Sequence, residues 1–270
     1  MKFTNLITLT TDFGLQDPFV GQIKGSILRR NLTARIVDLT HAIEAHNILG
    51  GAVTIRSSYH YFPKGSVHMV VVDPGVGSQR AIIALRADDH MFLAPDNGCL
   101  TLIMRDKKVQ AVHRVANPAL FPTEISATFH GRDIMAPVAS ALASGMTLDQ
   151  VGPHIDVEDC IQLDIPRTQV DEHGITGRVI GIDRFGNIRT TITSSNLSMY
   201  QPASFAGIFI GSLQINAISS TYSDVPPGEL LALIDSAGHL ELAANRGDAA
   251  QKTGCKIGDP VTIVMEQEKQ

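Results

Sequence analysis

Apolar and polar positions alternate in two distinct rhythms along this chain, and the change of rhythm divides it. In the first half, short apolar runs alternate with stretches of helical spacing. Leu6-Ile7-Thr8-Leu9-Thr10-Thr11 reads as a buried strand that stops at Asp12-Phe13-Gly14. Phe19 to Arg30 then places Val20, Ile23, Ile27 and Leu28 on one helical face, with Arg29-Arg30 suited to a helix C-terminus. Ala34 to Leu39 is a second strand and Asn47 to Tyr59 a second helix. Val67-His68-Met69-Val70-Val71-Val72 is the most continuous β run, which predicts a central strand covered on both faces, ending at Asp73-Pro74-Gly75-Val76-Gly77. Strands at Ala81 to Leu85, Met91 to Ala94 and Ala111 to Val115 precede a helix from about Asp133 to Ser144. This alternation predicts an α/β layered domain.

Beyond about residue 160, long helical patterns vanish. Short β-rich runs at Gly174 to Ile182, Ile188 to Ile192, Phe205 to Ile210, Leu230 to Ile234 and Pro260 to Met265 are divided by turn sequences such as Asp235-Ser236-Ala237-Gly238. The expected division is an N-terminal α/β domain over 1–165 and a smaller, all-β, barrel-like C-terminal domain over 166–270. Pro166 and Gly174 interrupt the pattern at the junction, and no internal repeat or low-complexity tract is evident.

Composition narrows the function. The 270 residues are 44% hydrophobic and 18% charged, which excludes a disordered chain. A net charge of −5, with no basic excess to release counterions, argues against nucleic acid as a partner. Aromatics at 5% and the absence of Trp argue against base-stacking platforms. No apolar run approaches the roughly 18 residues of a membrane span, and the N-terminal run reads as a first strand rather than a signal peptide. Cys99, Cys160 and Cys255 are odd in number and far apart, with no CxxC spacing, so neither a disulfide framework nor a zinc site is expected. A reduced cytoplasm is the expected compartment.

Polar residues gather where strands end. Asp12, Asp73 and Asp96-Asn97-Gly98 stand at carboxyl ends, where open α/β sheets bind ligands. Each alone reads first as a turn-former, and only several in one domain shift the balance toward a site. Phe129-His130-Gly131-Arg132-Asp133 puts His130 near a helix N-terminus, and Asp133 suits the helix dipole. His60, His68, His90, His113, His154, His173 and His239 sit in ordinary strand or turn surroundings, while His41 and His46 stay undecided. Asp183-Arg184-Phe185-Gly186-Asn187 combines a carboxylate for an ammonium, an aromatic for stacking and an amide for a base edge, or forms a plain hairpin turn. Gly75-Val76-Gly77 is a lone GxG and weak evidence for phosphate; Walker A and GxGxxG patterns are absent.

Taken in order, Thr10-Thr11-Asp12-Phe13-Gly14, Val71 to Gly77, Ala94-Pro95-Asp96-Asn97-Gly98, Phe129 to Asp133 and Asp183 to Asn187 resemble the S-adenosylmethionine hydroxide adenosyltransferases, relatives of fluorinases and chlorinases. The resemblance covers nearly the whole chain. It implies an α/β domain followed by a β-barrel-like domain, and a homotrimer with substrate between one subunit's N-terminal domain and a neighbour's C-terminal domain. The implied reaction is S-adenosyl-L-methionine plus water giving adenosine and L-methionine, with no metal or organic cofactor. The family's catalytic trio falls on Asp73, Arg80 and His130. His130 or Asp73 would take the water's proton and Arg80 would stabilise developing hydroxide. Asp12 falls on the ribose hydroxyls, and Phe185, Asn187 and Tyr222 on the adenine. Asp183 falls on the methionine ammonium, with Ser236 and the backbone of Ala237 on its carboxylate. Glu241 and Ala244 lie in an adenosine-contacting stretch. Asp17 aligns with a substrate-side acid, although Pro18-Phe19 departs from the halogenating relatives, and Thr191 stands where relatives often have Asn. The α/β half offers no obvious stacking pair for adenine.

Three rival readings follow. Halogenating relatives carry an aromatic at the position of Asp73 and an extra loop not located here, which favours hydrolysis. A metal-dependent phosphoesterase needs clustered ligands such as HxH or DxD, which the chain lacks. A non-catalytic S-adenosylmethionine or adenosine binding module is the third.

Overall fold

The computed structural model describes residues 4–199 and 205–265; Met1 to Phe3, part of the first apolar run, lie outside them. The chain divides into two compact units, one up to Leu163 and one from Asp164. In the first unit the order is β1 (Leu6–Thr11), α1 (Phe19–Arg30), β2 (Arg35–Thr40), α2 (Ile48–Ser58), β3 (Val67–Val71), β4 (Ile82–Ala87), β5 (His90–Pro95), α3 (Thr101–Asp106), β6 (Val109–Arg114), α4 (Ala136–Ala143) and α5 (Leu148–Val151). A π-helical turn, Gly131–Met135, leads into α4, with the Ala136 N–H donating to the Gly131 carbonyl. The six strands run β2-β1-β3-β5-β4-β6. β1 pairs parallel with β2 and β3, and β3 parallel with β5, while β4 is antiparallel to β5 and β6.

Side-chain alternation along β3 builds one core on each sheet face. Val67, Met69 and Val71 join Ile7, Leu9, Ile23, Ile27 and the α4 residues Val138, Ala139 and Leu142. Val70 and Val72 join Ile55, Tyr59, Leu100 and Ile103 on the other side. β3 is buried throughout, as its unbroken apolar run predicts. His68 is its polar exception. It bonds Thr8 Oγ1 at 2.8 Å and His90 at 3.0 Å, and burial pushes its pKa down to about 3, so the ring stays neutral.

The second unit holds β7 (Gln169–Asp171), β8 (Gly174–Ile182), β9 (Ile188–Thr193), α6 (Ser194–Leu197), β10 (Phe205–Ile210), β11 (Leu213–Ile215), β12 (Leu230–Ile234), β13 (His239–Ala244), α7 (Ala249–Thr253) and β14 (Pro260–Met265). Its sheet runs β11-β10-β14-β8-β9-β13-β12, with β7 beside β8, and its strand pairs are antiparallel. β8 pairs with β14 through Gly174–Arg178 and with β9 through Val179–Ile182, so one long strand serves two stretches of sheet. A bridge between Ile218 and Ala232 joins the two ends of the order, so the sheet is nearly closed and barrel-shaped. Ile188, Thr190 and Ile192 point inward and alternate with Arg189, Thr191 and Thr193.

Candidate active site

Three features of the first unit converge at one end of its sheet. From β1 the chain crosses to β2 on one side and β3 lies on the other, so a crevice opens at the carboxyl ends of β1 and β3. Asp12 leaves β1 there and Asp73 leaves β3. The loop after β2 closes over them: the Gly14 N–H donates to the His41 carbonyl at 2.7 Å, and the His46 N–H to Asp12 Oδ2 at 2.9 Å. A cavity of about 260 Å³ results, with Asp12, His46, Asp73, Phe129 and His130 among its lining residues.

Arg80 is brought back to Asp73 by a tight turn in which the Val76 N–H donates to the Asp73 carbonyl at 3.2 Å. Its Nε donates to Asp73 Oδ1 at 2.9 Å and its Nη2 to Asp73 Oδ2. The same Nη2 lies 3.0 Å from His130 Nδ1. A guanidinium only donates, so His130 Nδ1 accepts and the single proton of the neutral ring sits on Nε2. Burial, then the Arg80 charge, holds the His130 pKa below its usual value and keeps that neutral form. Gly77 makes the approach possible. Its φ is +80°, and a Cβ there would stand 2.4 Å from the Ala127 carbonyl oxygen, in the segment that leads to His130. Asp133 braces this segment from behind, bonding the Ser126 N–H at 2.8 Å and Arg132 Nε at 2.7 Å.

The α/β unit does carry aromatic surface, contrary to the sequence reading. Phe13, Phe19 and Phe129 meet edge to face, with centroids 5.4 to 5.8 Å apart, and all three line the cavity. Phe129 is far along the chain from Phe13 and Phe19, which hid this group; the one local signal was that Phe13 and Phe129 adjoin Asp12 and His130. His46, undecided from sequence, lines the cavity as well. His41 lies beneath, its Nδ1 2.8 Å from Thr11 Oγ1. Asp17 is exposed in the turn before α1 and is not among the lining residues.

The remaining sequence-named residues belong to the second unit. Asp183 organises its own turn, its Oδ1 accepting from the Phe185 and Asn187 N–H groups at 2.8 and 2.9 Å and its Oδ2 from Asn187 Nδ2 at 3.0 Å. Phe185 is left 67% exposed, an aromatic residue with an amide beside it. Gly186, with φ +80°, is required where a Cβ would meet Asp248 Oδ1 at 2.0 Å. Tyr222 is partly exposed and donates to Glu241 Oε1 at 2.8 Å; burial and this carboxylate push the tyrosine up to about 12. Glu241 is buried behind it, and burial raises its own pKa. Its place is therefore to orient Tyr222, while the Ala244 side chain packs inside the barrel core. Ser236 is exposed, whereas the Ala237 N–H is already held by Asp235 Oδ1 at 2.8 Å. Thr191 Oγ1 accepts from the Arg178 N–H at 3.0 Å, a structural bond. Arg189, unnoticed in the sequence, donates from Nε to Asp235 Oδ2 at 2.6 Å and lies across from Glu241. Among the described residues, no group of three His, Cys, Asp or Glu side chains is placed to hold a metal ion.

Comparison with known proteins extends this picture. Residues 7–152 match the SAM hydroxide adenosyltransferase N-terminal domain, and residues 177–262 match the C-terminal domain of the same family. The chain is 36% identical over 264 residues to an (R)-S-adenosyl-L-methionine hydrolase of Salinispora tropica, covering 97% of this chain and 99% of that one. A hydrolase of the same name from Thermus thermophilus is 34% identical, covering 94% and 97%. A fluorinase of Actinopolyspora mzabensis is more distant, at 26% identity over 96% of each chain. Among solved structures, an uncharacterized conserved protein of Thermotoga maritima superposes with a TM-score of 0.89 at 36% identity, over 96% of this chain and 99% of that one. With both of its domains matched and its relatives aligned end to end, the chain belongs to the SAM hydroxide adenosyltransferase family.

Proposed function

We propose that this protein hydrolyses S-adenosyl-L-methionine to adenosine and L-methionine, water attacking the ribose C5′ in line with the departing sulfur. The observation that carries this reading is the contact of Arg80 with both Asp73 and His130 at the cavity. The hydrolase relatives at 34 and 36% identity, against 26% for the fluorinase, favour water over halide as nucleophile. Their name specifies the (R) epimer, which is the substrate to assay first.

Neutral water is a poor nucleophile and needs its charge development stabilised. His130, accepting from Arg80, offers Nε2–H as a donor to the water oxygen rather than a lone pair to its proton. That leaves Asp73 as the acceptor, its two oxygens held by Arg80 and each retaining a further lone pair. The O–C5′ bond forms as the C5′–S bond breaks, and the bonding pair stays on sulfur as a neutral thioether. The proton passes to Asp73 and on to solvent, so the positive charge leaves the sulfonium and departs as that proton. Asp12 is assigned the ribose hydroxyls. Phe185, Tyr222 and Asn187 take the adenine, and Asp183 and Ser236 the methionine ammonium and carboxylate. A homotrimer working in the cytoplasm completes the proposal; among the described residues no helix is long and apolar enough to cross a membrane.

Turnover of (R)-S-adenosyl-L-methionine in ¹⁸O-water, followed by mass spectrometry, tests it. Adenosine carrying one ¹⁸O is expected. Unlabelled adenosine, a halogenated nucleoside, or binding without turnover would overturn the hydrolase reading.

A further inference from the structure

The Asp96-Asn97-Gly98 loop stands outside the chemistry just described, yet the side chain of Asn97 grips the strand that carries Asp73. Pairing of β3 with β1 ends at Thr11–Val71, and pairing with β5 ends earlier, at Met69–Leu93. Val72 therefore lies beyond both ladders while its side chain is fully buried. A buried carbonyl there requires a donor from elsewhere. Asn97 supplies it, its Nδ2 donating to the Val72 carbonyl at 2.9 Å, with a weaker contact from Cys99 Sγ at 3.6 Å. The other half of the amide is used too, Asn97 Oδ1 accepting from the Cys99 N–H at 3.2 Å. The loop is anchored on its far side, where the Asp96 N–H donates to the Ala81 carbonyl and Asp96 Oδ1 accepts from the Ile161 N–H, both at 2.9 Å.

We propose that Asn97 is a positioning residue for Asp73, its amide fixing the peptide plane from which the Asp73 side chain leaves β3. The peptide joining Val72 to Asp73 is held at its carbonyl by Asn97 and at its apolar side by the Val72 side chain in the core. Asp73 in turn holds Arg80, and Arg80 holds His130, so the direction set at Val72 passes to the whole trio. Misplacing a reacting group by about 1 Å can cost ~10²-fold in rate without weakening substrate binding. The proposal rests on the hydrolase reading and adds to it a residue that touches neither substrate nor water.

The test is a double-mutant cycle on the full-length protein. Asn97→Asp keeps the acceptor for Cys99 and removes the donor to Val72; Asn97→Ala removes both. Each is expected to lower kcat ~10²-fold while the dissociation constant for S-adenosyl-L-methionine changes less than about threefold and thermal melting stays cooperative. In an Asp73→Asn background, followed by single turnover at high enzyme concentration, either change should add little, because Asn97 acts through Asp73. As a second readout, ¹⁵N shifts of the His130 ring should report loss of its single tautomer in Asn97→Ala, since a displaced Asp73 releases Arg80. Unchanged kcat in both variants would overturn the proposal. So would an equal loss in the Asp73→Asn background, or a His130 tautomer left intact. An inactive wild-type protein would instead count against the hydrolase reading itself.

Discussion

His130 has one lone pair to give in its neutral form, and Arg80 takes it. This single contact separates a hydrogen-bond donor from a general base, and substitution can tell them apart. Removing a donor that stabilises a developing oxyanion costs ~10²–10³-fold. His130→Ala should show that loss in kcat, while His130→Gln, whose amide reaches a similar point with N–H groups, should recover most of it. If glutamine is as poor as alanine, the imidazole is acting as a base. The acid side follows from the lowered pKa: protonating His130 sets two donors face to face, so the wild-type rate falls only below pH 6.5, the usual histidine value. Asp73 and His130 were readable from sequence because each adjoins a strand end or a helix start. Arg80 had no such signal, since an arginine in a Gly-Ser turn looks like surface until the fold returns it to Asp73. Glu241 and Ala237 show the converse: both stand in a suggestive stretch, but Tyr222 and Asp235 already engage them.

At the scale of elements, the long runs declared themselves and the short ones did not. The strands around Leu6–Thr11 and Val67–Val71 and the helix Phe19–Arg30 have unambiguous periods. His239–Ala244 escaped notice because His-Leu-Glu-Leu-Ala-Ala suits a helix as well as a strand; only its neighbours β9 and β12 decide. Thr101–Asp106 is too short to show a full helical period. Gly75-Val76-Gly77, weak as a phosphate loop, is better understood as a contact between two segments. Gly77→Ala would force a side chain against the Ala127 carbonyl at a backbone angle that disfavours one. We expect a loss of about 1–3 kcal/mol in urea unfolding and, at temperatures where the variant is folded, a kcat at least tenfold below wild type. Normal kcat in a folded variant would show that this contact does not set the Arg80–His130 distance.

For the molecule as a whole, fold class was legible because the change of rhythm is a property of composition over tens of residues. The barrel-like character of the second half was legible too, but sheet order and the residues that close the barrel were not, since the Ile218–Ala232 bridge and the handover along β8 join residues with no local mark. The same scale frames the proposed assembly. Asp12, Asp73, Arg80 and His130 belong to one unit, and Phe185, Asn187 and Tyr222 to the other. If different copies of a trimer supply the two sets to one substrate, Asp73→Asn and Asn187→Ala proteins, each inactive alone, should regain part of the wild-type rate after subunit exchange. Light scattering should give the mass of three chains. No rescue despite demonstrated exchange, or a fully active monomer, would refute shared use of the substrate.

The π-helical turn after His130 puts core and chemistry out of step. Such a turn holds one residue more than an α-helical turn, and each residue of helix rotates heading by about 100°. An unbroken helix continued back from Ala136 would aim position 130 away from the heading it has. The packed face of α4 and the imidazole beside Arg80 are thus keyed to different reading frames of one helix. Substitutions in α4 act on the first frame alone, whereas gaining or losing a single residue between Gly131 and Met135 trades one frame for the other.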